Sequence, residues 1–356
     1  MKLLALSALF AAAAAFQAPL GAGRRPLAAA AVTPATQGIV MGANIRELRD
    51  RVASVKNTKK ITSAMRLVAA AKVRRAQEAV LRSRPFSETL ERILGGLLQR
   101  LKTEALDIPL LETRPAKTVG LVVITGDRGL CGAYNSAAIK KADARIQELK
   151  DQGVEVELIC VGKKGGVYYK RRDTKLRKSI PCGQAPTAAQ ATEIADELLT
   201  SYYSGELDRI ELLYTNFVSM ITSVPSVRTI IPLAPSGLEM EGDEIFRMST
   251  EDGKIKMQKE KIDAAAPQEF AADMIFEQEP SQLLNAILPL YLNGQLLRTL
   301  QESVASELAS RMSAMQSATD NAKDLQGRLE REMNRARQAK ITQELMEIIA
   351  GADATN

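Results

Sequence analysis

The first strong pattern along the chain is a helical stripe near its N-terminus. From Ala43 to Leu94 there is no glycine and one proline, Pro85, and apolar or alanine positions recur at Ile45, Leu48, Val52, Val55, Ile61, Met65, Val68, Ala76 and Val80. Spacings of three and four residues place such positions on one face of an α-helix. Over Ala43 to Arg82 alone that helix would measure about 60 Å. A second stripe occupies the other end, at Leu297, Leu300, Val304, Leu308, Met315, Ala318, Ala322, Leu325, Leu329, Ala336, Leu345 and Ile348. It lies in a helix-forming stretch from Ser281 to Ala350 that is interrupted only by Pro289, Gly294 and Gly327. Seventy residues of helix extend to about 105 Å.

Between the ends the period changes. Val119 to Thr125 is a continuous apolar run that suits a buried parallel strand. Asn135 or Ser136 is placed to cap a helix through Ile139, Ala142, Ile146 and Leu149 that stops near Gly153. A strand at Val154 to Val161, a basic loop, a helix from about Thr187 to Tyr203, and strands at Arg209 to Phe217 and Val227 to Pro232 continue an alternating, doubly wound pattern. Two short runs around Glu251-Asp252-Gly253, Glu244 to Met248 and Lys254 to Met257, predict an appended hairpin.

Each terminal stripe needs a partner to bury it, and the middle returns the chain, so the two ends are expected to form an antiparallel coiled coil. The predicted fold is α/β: this coiled coil plus a Rossmann-like α/β domain with a β-hairpin insertion. The boundaries are 43–105 for the N-terminal helix, 114–235 for the α/β domain, 236–272 for the hairpin insertion and 280–356 for the C-terminal helix. The C-terminal helix is expected to be longer by roughly 30 residues, so about 45 Å would outrun its partner. Its last turns carry Ile341, Leu345, Met346, Ile348 and Ile349, an apolar tip that calls for a sleeve from another protein.

Composition narrows the chemistry. Among 356 residues there is no His, so Ser-His or Cys-His nucleophiles and His-ligated metals are excluded. No segment after residue 42 reaches eighteen uninterrupted apolar residues, so a membrane is expected to be met only through partners. Positive charge is concentrated: residues 43–82 hold eleven Lys or Arg against three acids. A solvated face, an acidic protein partner and a nucleic acid remain open for this helix, although no leucine zipper follows it.

The loop Thr125-Gly126-Asp127-Arg128-Gly129-Leu130-Cys131-Gly132 follows a strand and precedes a helix, where a phosphate could sit. Its GxxGxxG spacing is not that of a dinucleotide binder, and no GxxxxGK[ST] occurs, so a structural turn is the expected reading. Cys131 is a candidate thiol, weighed against a small packing residue. Asp127 and Arg128 are expected to pair locally or with the terminal helices. Met65, Met312 and Met315 read as flexible core filler.

Several runs resemble one family. Ile341-Thr342-Gln343-Glu344-Leu345-Met346-Glu347-Ile348-Ile349-Ala350-Gly351-Ala352 is similar to the signature of the gamma subunit of F-type ATP synthases. The segment from Asn44 through Ile61-Thr62-Ser63-Ala64-Met65 to Ala71-Lys72-Val73-Arg74-Arg75, the loop Asp127–Gly132 and the run Ala318–Ala322 resemble the same family. The resemblance spans residues 43–353.

It implies a rotor shaft with no catalytic site and no cofactor. The partners it implies are the hexamer of alpha and beta subunits, the epsilon subunit and the c-ring. Met65 and the basic residues near Lys72 match positions facing the acidic lever of beta, and Arg337, Gln338, Thr342 and Glu344 match those engaging its catch loops. Leu345, Ile348 and Ile349 would run in the sleeve's bearing. The hairpin around Asp243 to Met257 resembles the plastid and cyanobacterial form. Residues 235–242 lack the paired cysteines of the light-dependent switch, so no such switch is expected, and Cys160 and Cys182 are expected to be unpaired. A nucleic-acid-binding coiled coil and a nucleotide-using α/β enzyme are the rival readings.

Residues 1–42 read as processing signal. Leu3 to Ala15 is mostly apolar after Lys2, and the following stretch carries Arg24 and Arg25 with no acid before Glu47. The tandem resembles the two-part leader that delivers proteins to plastids in algae with secondary plastids, and with the gamma-subunit resemblance the implied position is the stromal side of the thylakoid membrane. Ordinary secretion is the alternative, and three cysteines fit it poorly.

Overall fold

The computed structural model describes residues 37–100, 110, 114–172, 174–232, 244–251, 254–261 and 280–354. The first 36 residues of the expected leader, and the loop that would carry the cysteine pair, lie outside the described residues. Helix α1 runs Gln37–Arg100 and helix α5 runs Pro280–Asp353. Between them come β1 Thr118–Ile124, α2 Tyr134–Asp151, β2 Glu155–Val161, α3 Lys163–Tyr169, β3 Leu176–Ile180, α4 Ala188–Tyr203, β4 Arg209–Phe217, β5 Ser223–Ile231, β6 Glu244–Glu251 and β7 Lys254–Lys261.

Five strands form one sheet in the order β3-β2-β1-β4-β5, parallel except for the antiparallel β4–β5 pair, while β6 and β7 pair as the expected hairpin. The sheet is covered on both faces, which explains the continuous apolar run of β1. Val119, Leu121 and Val123 pack with Ala138, Ala142 and Leu149 of α2. Val122 and Ile124 face a second cluster holding Ile194 and Leu198 of α4, Val73 and Leu94 of α1, and Leu296, Leu300 and Val304 of α5. The α/β domain therefore shares its core with the two long helices.

The chain divides into two compact units, residues 50–332 and the two ends together, up to Arg49 and from Met333. In the larger unit α1 and α5 are antiparallel: Thr319 Oγ1 donates to Thr62 Oγ1 at 2.9 Å, and Gly294 lies opposite Phe86. In the smaller unit Leu48 is buried, and every described residue from Ile341 to Ala354 is exposed.

Several expectations are revised. Helix α1 passes through Pro85 and spans 64 residues against 74 in α5, so the difference in helix length is ten residues, not roughly thirty. The buried seam of α1 runs through Leu48, Thr62, Ala69, Val73 and Val80, whereas Ile61 and Val68 are more than half exposed, as is Leu67. Leu325 of α5 is likewise exposed, and Leu329 is buried. The basic segment after β2 is a helix and a strand rather than a loop. Gly165 and Gly166 pack it tightly, since a Cβ at either would stand 2.9 Å from Thr125 Oγ1 or 2.2 Å from Ser179 Oγ. Helix α4 starts as expected, with a capping box between Thr187 and Gln190. Helix α2 does not: its N-cap is Ala133, without a side-chain cap.

Candidate functional site

The residues with functional interest fall on α1, on α5 and at the joint between α5 and the sheet. The joint is built from the loop after β1. Thr125 is tied to β2 by its N–H on the Val161 carbonyl at 2.7 Å. Gly126 lies where α5 passes closely, and a Cβ there would stand 2.7 Å from the Glu307 carboxyl carbon, so that side chain would have to shift. Asn135, free of the capping role, accepts from the Gly126 N–H at 2.9 Å, and its amide nitrogen reaches the Arg128 carbonyl.

Asp127 makes a backbone knot. Its carboxylate accepts from the N–H groups of Lys163 at 2.8 Å, Gly183 at 2.9 Å and Cys182 at 3.3 Å. Donors that could cradle a phosphate are thus taken by an internal carboxylate, and the structural reading of the loop prevails.

Helix α5 holds the loop from the other side. Ser310 donates to the Cys131 carbonyl at 2.6 Å, and Arg311 donates through Nε and Nη2 to the Gly129 carbonyl at 3.4 and 3.3 Å. Arg311 also pairs with Glu307, one turn earlier. Both side chains are buried, and burial pushes the Glu307 carboxyl above its ordinary range despite the guanidinium beside it. Farther along, Ser303 and Ser306 bond the two backbone groups of Thr215, and Arg228 of β5 reaches Gln295 and Tyr291.

These polar contacts were not singled out from sequence. Gln295, Thr299, Glu302, Ser303, Ser306 and Glu307 are all buried beside the leucine stripe. Their spacing of three and four residues on a second face of α5 is the signal that could have found them.

Cys131 is 2% exposed, and burial raises its thiol pKa. Cys160 and Cys182 are pushed up to about 12, also by burial. All three cysteines are free and buried, which favours the packing reading of Cys131 over a reactive thiolate.

On the shaft, Met65 and Met312 are half-buried and Met315 is buried, in keeping with filler between helices. Lys72 is half-buried and its ammonium donates to the Gln184 side-chain oxygen in the β3–α4 connection. At the far end of α5, Arg337, Gln338, Thr342, Glu344, Leu345, Ile348 and Ile349 are all exposed. Thr342 bonds the Gln338 carbonyl at 3.0 Å, and Glu344 faces Lys340 at 3.6 Å. Among the described residues no group of His, Cys, Asp and Glu could hold a metal ion, and no helix is long and apolar enough to cross a membrane.

The family model described as ATP synthase matches residues 44–355. The "ATP synthase gamma chain, chloroplastic" of Trieres chinensis is 54% identical over 374 aligned positions, covering 99% of this chain and all of the relative. The chain belongs to the ATP synthase gamma chain family. A gamma chain of Phaeodactylum tricornutum, also chloroplastic, is 57% identical over 89% of this chain and 86% of its own length. The gamma chain of Acaryochloris marina is 54% identical over 88% of this chain and 99% of its own.

Gamma chains are non-catalytic subunits, and membership of that family replaces the nucleotide-using enzyme and nucleic-acid readings. The fold also recurs. A chain of the Euglena gracilis mitochondrial ATP synthase structure superposes with a TM-score of 0.59 at 21% identity, over 88% of this chain and 95% of that one. A chain of the Tetrahymena thermophila central stalk and c-ring structure gives 0.52 at 24% identity, over 72% and 99%.

Proposed function

We propose that this gamma chain is the rotor shaft of a plastid ATP synthase. Its α5 tip would turn inside the hexamer of alpha and beta subunits, and its α/β domain would rest, with epsilon, on the c-ring. The observation that carries this reading is the exposed tip. From Ile341 to Ala354 every residue is exposed, and Ile341, Leu345, Met346, Ile348 and Ile349 present apolar surface that none of the described residues covers. Apolar residues at the end of a marginal helix call for a sleeve.

In this reading no bond is broken on the chain. An asymmetric shaft touches three otherwise equivalent subunits differently at each angle, and differential contact is what biases their sites toward different affinities. Arg337, Gln338, Thr342 and Glu344, all exposed on the last turns, would engage beta's catch loops, and Leu345, Ile348 and Ile349 the bearing. Met65 would face the lever. Lys72, engaged by Gln184, must release that amide to reach an acidic partner. The joint of Ser303, Ser306, Ser310 and Arg311 would carry torque from sheet to shaft, because hydrogen bonds are directional where apolar contacts can slide.

The plastid assignment rests on the two chloroplastic relatives and on the acid-free leader, with the stromal face of the thylakoid membrane as the expected position. No thiol switch is expected, because residues 235–242 contain no cysteine.

The test is assembly with alpha and beta subunits followed by rotation under ATP hydrolysis. The full chain should co-purify with the hexamer and turn, and a chain ending at Lys340 should assemble poorly or turn with reduced torque. A full chain that stays monomeric in the presence of alpha and beta overturns the reading.

A further inference from the structure

A groove of about 330 Å³ opens where α1, α5 and the β3–α4 connection meet, a volume in the lower range of small-molecule sites. Lys72 and Arg75 stand on its rim, one helical turn apart on α1, and among the described residues no acidic side chain lines it. The Lys72 ammonium is met only by a neutral amide, that of Gln184, among the hydrogen bonds described for it. Val304 and Leu308 of α5 form the apolar floor. Gln301, on the wall, has its side-chain oxygen buried without a hydrogen-bond partner. A turn of that side chain toward the groove would expose an amide to whatever lies there.

We propose that this groove binds an amphiphilic monoanion, with a carboxylate between Lys72 and Arg75 and a medium-length alkyl chain on Val304 and Leu308. Two cations with no acid among the described lining residues favour an anion. The mostly apolar lining favours a hydrocarbon body over a free inorganic ion. On binding, the Lys72 ammonium exchanges the Gln184 oxygen for the carboxylate, a charge-assisted and therefore stronger bond. Gln184 can then turn its NH₂ to the same carboxylate. The bound molecule would bridge α1, α5 and the α/β domain. The site lies far along the chain from the α5 tip but shares Lys72 with the lever contact of the rotor reading, and binding to the assembled enzyme distinguishes the carboxylate from that acidic partner.

The experiment is a calorimetric titration of decanoate, below its micelle concentration, into the full chain and into the assembled ATP synthase. Decan-1-ol, decyltrimethylammonium and decyl phosphate serve as comparison ligands, and melting curves establish that the variants are folded. One saturable site per chain is expected for decanoate, in both preparations. The alcohol and the cation should bind at least ten-fold more weakly. Lys72→Gln should weaken decanoate at least ten-fold, and Ala79→Leu, which fills the groove, should do so without removing charge.

Equal binding of the alcohol or the cation, or an unchanged affinity in both folded variants, overturns the proposal. Decyl phosphate binding with decanoate silent overturns the carboxylate assignment. Decanoate binding to the free chain but not to the assembled complex also overturns it, and assigns the groove to a side chain of a partner subunit.

Discussion

Ser303 on α5 and Thr215 on β4 form a hydrogen bond that joins helix to strand, the Thr215 N–H donating to the Ser303 hydroxyl at 3.3 Å. One turn on, Ser306 donates to the Thr215 carbonyl at 3.2 Å. Strand β4 is paired with β1 only as far as Leu213, so the next stretch has a free backbone edge. The helix thus satisfies a piece of sheet edge with two hydroxyls, and a buried edge group without a partner is costly.

Replacing Ser306 by alanine should therefore destabilise the chain by about 1–3 kcal/mol, the cost of leaving a buried carbonyl unpaired. Ser303→Ala should have an effect of the same order by orphaning the N–H. Because both act on one residue, the double variant should depart from additivity. Urea unfolding of the three variants measures this.

Arg311 and Glu307 make a sharper case. Arg311→Met leaves a buried carboxylate uncompensated and strips the Gly129 carbonyl of its donor, so a loss of about 3–5 kcal/mol is expected. Glu307→Gln should cost less, since the amide can still accept from Arg311. Gly126→Ala should be destabilising because its Cβ would collide with the Glu307 carboxyl group. Thermal melts of the three variants test that order.

The same carboxyl predicts a dependence on pH. Burial raises the Glu307 pKa above its ordinary value near 4.5, so the folded state holds the proton more tightly than the unfolded state. Below pH 4.5 both states are protonated and the group contributes no pH dependence. As pH rises from 4.5 through the raised folded value, the unfolded state ionises first and the fold loses stability. Glu307→Gln should remove that decline, which appears as a converging stability difference between variant and parent as pH falls. Chemical denaturation from pH 4 to 8 reads it directly.

The thiols should be slow to react. At pH 8 Cys160 and Cys182, with pKa values near 12, carry about 10⁻⁴ of their population as thiolate, and both are buried. Maleimide labelling followed by mass spectrometry should leave all three cysteines unmodified in the folded chain and modify all three in urea. Rapid labelling of Cys131 in the native chain would contradict its assignment as a packing residue.

The α5 tip should be neutral for the stability of the isolated chain. Leu345→Gln and Ile348→Gln replace residues that are 54% and 69% exposed, so each should change stability by less than about 0.5 kcal/mol. The same pair should weaken assembly with alpha and beta subunits. Denaturation of the free chain and yield of the hexamer separate the two effects.

Much of the architecture was legible in the pattern of residues. The apolar run of β1, the period of α2 and α4, and the two long terminal stripes follow from local rules, and the Ile341–Ala352 and Asn44–Arg75 runs carry the family resemblance. What the pattern could not decide is which side of each element meets a neighbour. On α1 the neighbouring positions Ile61 and Thr62 compete for the seam, and hydrophobicity alone selects Ile61. The structure buries Thr62, whose hydroxyl meets Thr319 across the seam, and leaves Ile61 60% exposed. Gly165 and Gly166 read as a loop because the close approach to Thr125 and Ser179 that requires them exists only after β2 and β3 have paired. Buried serines, a glutamate and an arginine on α5 likewise become a joint only once the loop after β1 and the free edge of β4 arrive from distant sequence. Local periodicity determined the elements; the hydrogen-bonding needs of backbone brought together by the fold decided the contacts.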